Sequence, residues 1–338
     1  MTDAEAGVPD AELSEHMFGF ENIIGESPTL REAVRLAARV AAARRTTVLL
    51  TGETGTGKEL FARGIHYASS SASEPFVAIN CAAIPDSLLE SELFGHEKGA
   101  FTGAYARKQG LLELAGSGAL FLDEVHHLPQ QLQPKLLRAL ESRQVRPLGG
   151  LVEIPIDCRI IAAASPLLEQ VVASGEFRED LYYRLNVFSL MLPPLRDRPG
   201  DIGVTARHFL AHETRDHRRS KRFSDDAIAA LLLHRWPGNV RELKNVVERA
   251  AILCGESPVV RAEHLMIQRR TPRSAANGDA ATEAVGEIRI PRAGKLLEDI
   301  EREAVTLTLQ LTGGNQAAAA RLLGISRPTL AKKMTRPT

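Results

Sequence analysis

Two rhythms of apolar and polar positions run along this chain. Over 47–50, 76–80, 119–123, 159–163 and 187–190, apolar residues follow one another with little polar interruption. That is the pattern of strands covered on both faces in a parallel sheet. Between them, apolar positions recur every three or four residues, which predicts helices over 29–43, 58–69, 86–93, 130–142, 166–173 and 178–184. From Pro193 the strand rhythm stops, and helices are predicted over 202–214, 225–233 and 240–253, the last two parted by Trp236-Pro237-Gly238-Asn239. Small, polar and proline-marked residues make 269–293 a linker. The chain thus divides into a short acidic segment at 1–19, an α/β unit at 20–192, an all-helical unit at 193–268, the linker, and a small all-α unit at 294–338.

Composition narrows the class. The chain has 338 residues with 42 basic and 42 acidic side chains, so any affinity for nucleic acid must be local. Cys81, Cys158 and Cys254 lie far apart in no metal-binding spacing, which suggests reduced, buried thiols. No apolar run approaches the ~20 residues of a membrane span, and the acidic start does not resemble a signal peptide. A soluble cytoplasmic protein without membrane contact is expected.

The chemistry centres on Thr51-Gly52-Glu53-Thr54-Gly55-Thr56-Gly57-Lys58-Glu59. A β-branched apolar run precedes it and a helical pattern follows, the context that distinguishes a phosphate-binding loop from an ordinary glycine turn. The glycines let successive backbone N–H groups line a concavity at a helix N-terminus, and Lys58 would reach the outer phosphates of a nucleotide. Glu59 stands where a Ser or Thr usually holds Mg²⁺. A second feature is the apolar run that ends in Asp123-Glu124. In a parallel sheet that strand end lies at the ligand edge. Asp123 would hold Mg²⁺, with Glu124 beside it as the base that activates water.

Gly99-Ala100-Phe101-Thr102-Gly103-Ala104, preceded by Glu92-Leu93-Phe94-Gly95-His96-Glu97-Lys98, resembles the signature loop of the sigma-54-dependent transcriptional activators, the bacterial enhancer-binding proteins of the AAA+ class. The phosphate loop with Glu59 in place of the hydroxyl also looks like theirs. The similarity runs from about residue 20 to 265. It implies an AAA+ sheet with a helical lid, and ATP and Mg²⁺ as cofactors. It also implies that Phe101 and Thr102 touch sigma-54 from a loop in a helical hairpin hinged at Gly99 and Gly103.

Further roles follow only from the resemblance. Asn80 would be the switch asparagine that restrains Glu124. Arg178 and Arg184, in Gly175-Glu176-Phe177-Arg178-Glu179-Asp180-Leu181-Tyr182-Tyr183-Arg184-Leu185-Asn186, would be fingers reaching a neighbouring subunit's site; the residues alone allow surface salt bridges instead. Arg241, after Trp236-Pro237-Gly238-Asn239, would contact nucleotide from the lid. Phe20 and Ile23-Ile24-Gly25 would enclose adenine. One departure stands out: after 159–163 the chain has Ala164-Ser165-Pro166 where the family has Thr-Asn-Arg, so Ser165 replaces the sensor asparagine.

In the C-terminal unit, Thr312-Gly313-Gly314-Asn315 ends one helical stretch and caps the next, and Gly324-Ile325-Ser326 turns into Arg327-Pro328-Thr329-Leu330-Ala331-Lys332-Lys333. Two short helices and a glycine turn make a helix-turn-helix. It is similar to the factor-for-inversion-stimulation type, with Ser326 as cap and Arg327, Thr329, Lys332 and Lys333 as DNA contacts.

Together these readings imply a DNA-bound activator. It would form a ring, expected to be a hexamer with dimeric DNA-binding units, and would hydrolyse ATP to open sigma-54 RNA polymerase complexes. Residues 1–19 are too few for a sensory domain, so control by a separate protein is expected. The competing reading is a DNA-bound regulator that keeps ATP but has lost its motor, with Ser165 as its support. An AAA+ unfoldase would share the site but needs neither the 99–104 loop nor the helix-turn-helix.

Overall fold

The computed structural model describes residues 19–213, 220–267 and 296–334, apart from the side chains of Lys333 and Met334. Segment 1–18 and the linker 269–293 lie outside the described residues. The chain forms two compact units, Met1–Gln268 and Arg269–Thr338.

The first unit is built on a five-stranded sheet in the order Phe76–Asn80, Ala119–Asp123, Arg159–Ala164, Val48–Thr51, Phe188–Met191. All four pairings are parallel, so every strand ends at the same edge, where Asn80 lies opposite Asp123 and Thr51 opposite Ala164. Period-two geometry explains the continuous apolar runs. Val48, Leu50, Ala119 and Phe121 feed the core on one face; Leu49, Leu120 and Leu122 feed the core on the other.

Several boundaries differ from the predicted ones for local reasons. The last strand is Phe188–Met191, one residue later than expected. The helix expected at 130–142 begins only at Gln133, because Pro134 suits a first helical turn. The helix expected at 202–214 begins at Pro199 for the same reason and is described to Glu213. The helix that starts at Lys58 ends at Tyr67 rather than 69, where the Ser69 hydroxyl takes the His66 carbonyl, 2.6 Å away. The expected helices at 29–43 and 178–184 are Pro28–Ala41 and Glu179–Leu185.

The lid helices Pro199–Glu213, Asp225–Leu233 and Asn239–Leu253 close on a third core around the fully buried Trp236, whose indole N–H donates to the Leu231 carbonyl at 2.9 Å. The second unit packs Leu297–Leu311, Gln316–Leu322 and Arg327–Met334 around Val305, Ala319, Ala320 and Leu330. Among the described residues no helix is long and apolar enough to cross a membrane. All three cysteines are free and buried, and burial pushes the Cys81 thiol up to about 12.

Candidate functional site

The shared edge of a parallel sheet is where strand ends and following loops converge. Here the loop after Val48–Thr51 closes on itself: the Thr56 hydroxyl donates to the Glu53 carbonyl at 2.8 Å, and Gly55 and Gly57 take φ of +80° and +100°. Gly57 caps the helix Lys58–Tyr67, so the helix N-terminus opens into the loop's concavity. Lys58 is buried, and its ammonium donates to the carbonyls of Gly52 at 2.9 Å and Glu53 at 3.3 Å. Burial lowers its pKa, an effect opposed by Glu124 and Asp123.

These groups line a cavity of about 520 Å³ that also takes in Thr54, Glu59, Asn80 and Arg241. Burial first, and the neighbouring Glu124 second, push Asp123 above the usual carboxylate range. Glu124, the residue after the strand Ala119–Asp123, has a φ of +53°. Glu59 pairs with Arg63 at 2.8 Å. Ile24 lines an adjoining pocket of about 80 Å³ with Thr56, Gly57, Phe209 and Val240. Phe20 lies outside that lining and packs against Gly64, where an added Cβ would meet its ring at 2.5 Å.

The lid is tied to the loop by residues the sequence reading passed over. Arg196 grips Glu53 through bonds of 2.6 and 2.8 Å, which holds the Glu53 carboxyl below its ordinary range. The buried Asn239 donates to Glu53 Oε2 and to the Thr54 carbonyl, both at 3.1 Å, and accepts from the Leu195 N–H at 2.8 Å. The Val240 N–H donates to the Gly55 carbonyl at 2.9 Å, which sets Arg241 beside the loop. Only the asparagine after Trp236-Pro237-Gly238 hinted at this.

The sigma-54 interaction domain family matches residues 23–191, the AAA+ ATPase lid domain 196–282, and the Fis-family bacterial regulatory protein domain 296–336. The sigma54-dependent transcriptional activator SfnR of Pseudomonas putida is 44% identical over 323 residues, 89% of this chain and 88% of that protein. The regulatory protein AtoC of Escherichia coli is 45% identical over 93% of this chain and 67% of its own length. NtrX from Brucella abortus, solved in complex with ATP, superposes with a TM-score of 0.70 at 33% identity, covering 96% of this chain and 70% of its own. The chain belongs to the sigma-54-dependent transcriptional activators.

The remaining candidate site residues find these partners within the chain. The Asn80 amide donates to Asp123 Oδ2 at 3.3 Å, not to Glu124. The partner of Glu124 is His126, 3.3 Å away. Ser165 sits at the sheet edge, but its hydroxyl accepts from the Leu167 N–H at 3.3 Å and it does not line the cavity. Arg178 forms a two-pronged pair with Asp180 at 2.7 and 3.0 Å, and Arg184 donates to the Leu140 carbonyl at 3.0 Å; neither lines the cavity of its own chain.

The signature loop follows the helix Asp86–Phe94 and leaves a two-stranded antiparallel ribbon, Gly95–His96 with Lys108–Gln109. It closes on itself, the Gly99 N–H donating to the Ala104 carbonyl at 2.8 Å. Phe101 is 42% exposed, its ring edge-on to His96 with centroids 4.9 Å apart, and Tyr105, unremarked in the sequence, is 88% exposed. In the C-terminal unit, Asn315 caps the middle helix through Ala317 and Ala318. Ser326 accepts from the Thr329 N–H at 3.3 Å and lies 2.7 Å from the Thr329 hydroxyl, so both work first as the cap. Arg327 and Lys332 are exposed; the side chain of Lys333 lies outside the described residues.

Proposed function

We propose that this activator hydrolyses ATP between subunits of a ring and uses the 99–104 loop to remodel closed sigma-54 RNA polymerase complexes into open ones. What carries the reading is one cavity that gathers Lys58, Asp123, Glu124 and Arg241, on a chain whose signature loop presents a half-exposed Phe101. Gly52, Glu53, Thr54, Gly55, Thr56 and Gly57 cradle the phosphates through backbone N–H groups, and Lys58 leaves its loop carbonyls for the outer phosphates. Glu124 takes a proton from the water that attacks the γ-phosphorus as ADP leaves. Arg241 neutralises charge from the lid. Arg178 and Arg184 act on a neighbour's nucleotide after leaving Asp180 and the Leu140 carbonyl, a contribution worth about 10³-fold or more when such fingers act in trans.

Mg²⁺ fits the acidic side of this cavity. The donors are hard oxygens, and Asp123 is held above its ordinary range by burial and by Glu124, a like-charge strain that a cation relieves. Bound there, Mg²⁺ neutralises charge on the phosphates. Asn80, through its bond to Asp123, orients the metal-side carboxylate and so senses the γ-phosphate one residue away from Glu124. The loop then engages sigma-54 through Phe101 and Thr102, and the C-terminal unit holds the ring near its promoter through Arg327, Lys332 and Lys333.

Two variants test this on purified protein with sigma-54 polymerase and a promoter. Glu124→Gln is expected to keep nucleotide binding and lose turnover by about 100-fold or more. Thr102→Ala is expected to keep ATPase within about twofold and stability within about 0.5 kcal/mol, yet fail to open the promoter. Promoter opening by either variant at the wild-type rate rejects the assignment it probes. A second reading, a regulator that binds ATP without motor activity, draws on the Ser165 hydroxyl being taken up by Leu167. Steady-state ATPase of the unaltered ring separates the two.

A further inference from the structure

The acidic strand end is followed by two histidines that phosphate chemistry does not use. Glu124 takes a left-handed conformation, and Val125–His127 then make a single 3-10 turn. The reversal puts Val125 into the core and leaves the side chains before and after it to converge. One carboxylate oxygen of Glu124 and one nitrogen from each of His126 and His127 lie within 4.8 Å of one another. The two imidazole centroids are 4.4 Å apart, and His126 Nε2 lies 3.3 Å from Glu124 Oε2. A separate observation points the same way: His126 Nδ1 is buried and has no hydrogen-bond partner. Buried polar atoms are satisfied as a rule, so a ring whose Nε2 faces a half-buried carboxylate while its Nδ1 has no partner is a side chain with unmet capacity for a ligand.

We propose that Glu124, His126 and His127 bind a divalent cation of the zinc class, and that its binding takes Glu124 out of hydrolysis. The second half rests on Glu124 being the base proposed above. Zinc is held by imidazole nitrogen and carboxylate oxygen at about 2.0–2.2 Å, commonly with three protein ligands and one open position. Three donors already within 4.8 Å of one another need to draw in by only about 1 Å to reach that geometry, which rotation of partly exposed side chains supplies. Two imidazoles select against Mg²⁺, which prefers oxygen, and favour zinc and its nitrogen-seeking neighbours. Glu124 is therefore offered to two cations. A Mg²⁺ held by Asp123 and the phosphates would draw it toward the cavity, and a zinc ion held by the histidines would draw it toward His126 and His127. A carboxylate lone pair bound to zinc cannot accept the proton of the attacking water. The resulting inhibition leaves ATP binding intact and stops turnover.

The test uses the full chain, freed of metal, with Zn²⁺ measured by chelator competition and Co²⁺ as a visible-absorbance probe of nitrogen–oxygen coordination. One equivalent is expected, with affinity about tenfold or more lower in His127→Asn and binding abolished in the His126→Asn, His127→Asn double variant. The double variant is needed because the chain has 10 histidines. Micromolar Zn²⁺ is expected to suppress wild-type ATPase reversibly on adding a zinc-selective chelator. His127→Asn, exposed and outside the nucleotide cavity, is expected to turn over at the wild-type rate and resist Zn²⁺. Absence of micromolar binding, equal binding by the double variant, or unaltered turnover with zinc bound would each overturn the proposal. Cobalt absorbance reads the site without turnover, so absent bands beside normal ATPase reject the zinc site and leave the proposed function standing.

Discussion

Two glycine-rich loops of similar composition, 52–57 and 99–104, are built to opposite ends. In the first, two of the three glycines are demanded by what lies against them. A Cβ at Gly55 would sit 2.3 Å from the Gly238 carbonyl, and one at Gly52 would meet the Thr56 hydroxyl at 3.0 Å and the Leu192 side chain at 3.2 Å. In the second, a Cβ at Gly99 or Gly103 would meet nothing within 4 Å, and the two residues are special only in their φ of +83° and +109°. The phosphate loop spends Gly52 and Gly55 on close approach, so that lid, loop and helix share one packed seam, while Gly57, with only Leu60 at 4.0 Å, serves through its φ of +100°. The signature loop spends its glycines on conformation alone. Its apolar ring lies edge-on to His96 and remains partly exposed, a surface that a partner can cover. Glycine content therefore says that backbone freedom is needed, not which kind.

The comparison breaks most visibly by making one substitution in both loops. Gly55→Ala meets both a left-handed backbone and a carbonyl oxygen, so a loss of about 3 kcal/mol in stability is expected, with nucleotide binding weakened at least about tenfold. Denaturant unfolding and a fluorescent-nucleotide titration measure it. Gly103→Ala meets only the conformational cost, about 1 kcal/mol, with ATPase retained and promoter opening impaired. Equal losses in the two variants would erase the distinction. The smallest effect sharpens the seam. Glu53, lowered first by Arg196 and then by Asn239, stabilises the fold in its ionised form. That contribution is present above the unfolded carboxylate pKa, near 4.5, and is lost as pH falls through the lower folded value. The pair is partly exposed and screened, so the difference between wild type and Glu53→Gln should be about 1 kcal/mol or less at neutral pH, shrinking below about pH 4. A difference that grows on acidification would refute the seam's electrostatic account.

Much of this was legible along the chain. The sheet was written in its doubly apolar runs, and the phosphate loop in a glycine spacing that works only between strand and helix. What could not be read was which neighbour each polar group would choose. Asn80 lies opposite Asp123 by register, one residue short of Glu124, and a single residue of register decides which carboxylate its amide reaches. Ser165 looked like a shortened sensor, but the turn after its strand claims the hydroxyl. Arg178 and Arg184 found partners within their own chain, as an arginine does when nothing else stands near. His126 and His127 drew no notice because adjacent histidines are unremarkable until a left-handed Glu124 turns them to one side.

Sequence alone determined the strands, the helices and the strand–loop–helix around Gly52–Lys58, because periodicity and glycine spacing are local properties that tertiary contacts reinforce rather than choose. The family was legible only through the likeness of motifs such as 99–104. Tertiary structure alone decided the lid seam through Arg196, Asn239 and Glu53, the pairing of Asn80, and the meeting of two histidines with Glu124. Those contacts join residues distant in sequence, or depend on one backbone reversal. A hydrogen bond made or missed by about 1 Å is a difference that composition and spacing do not encode.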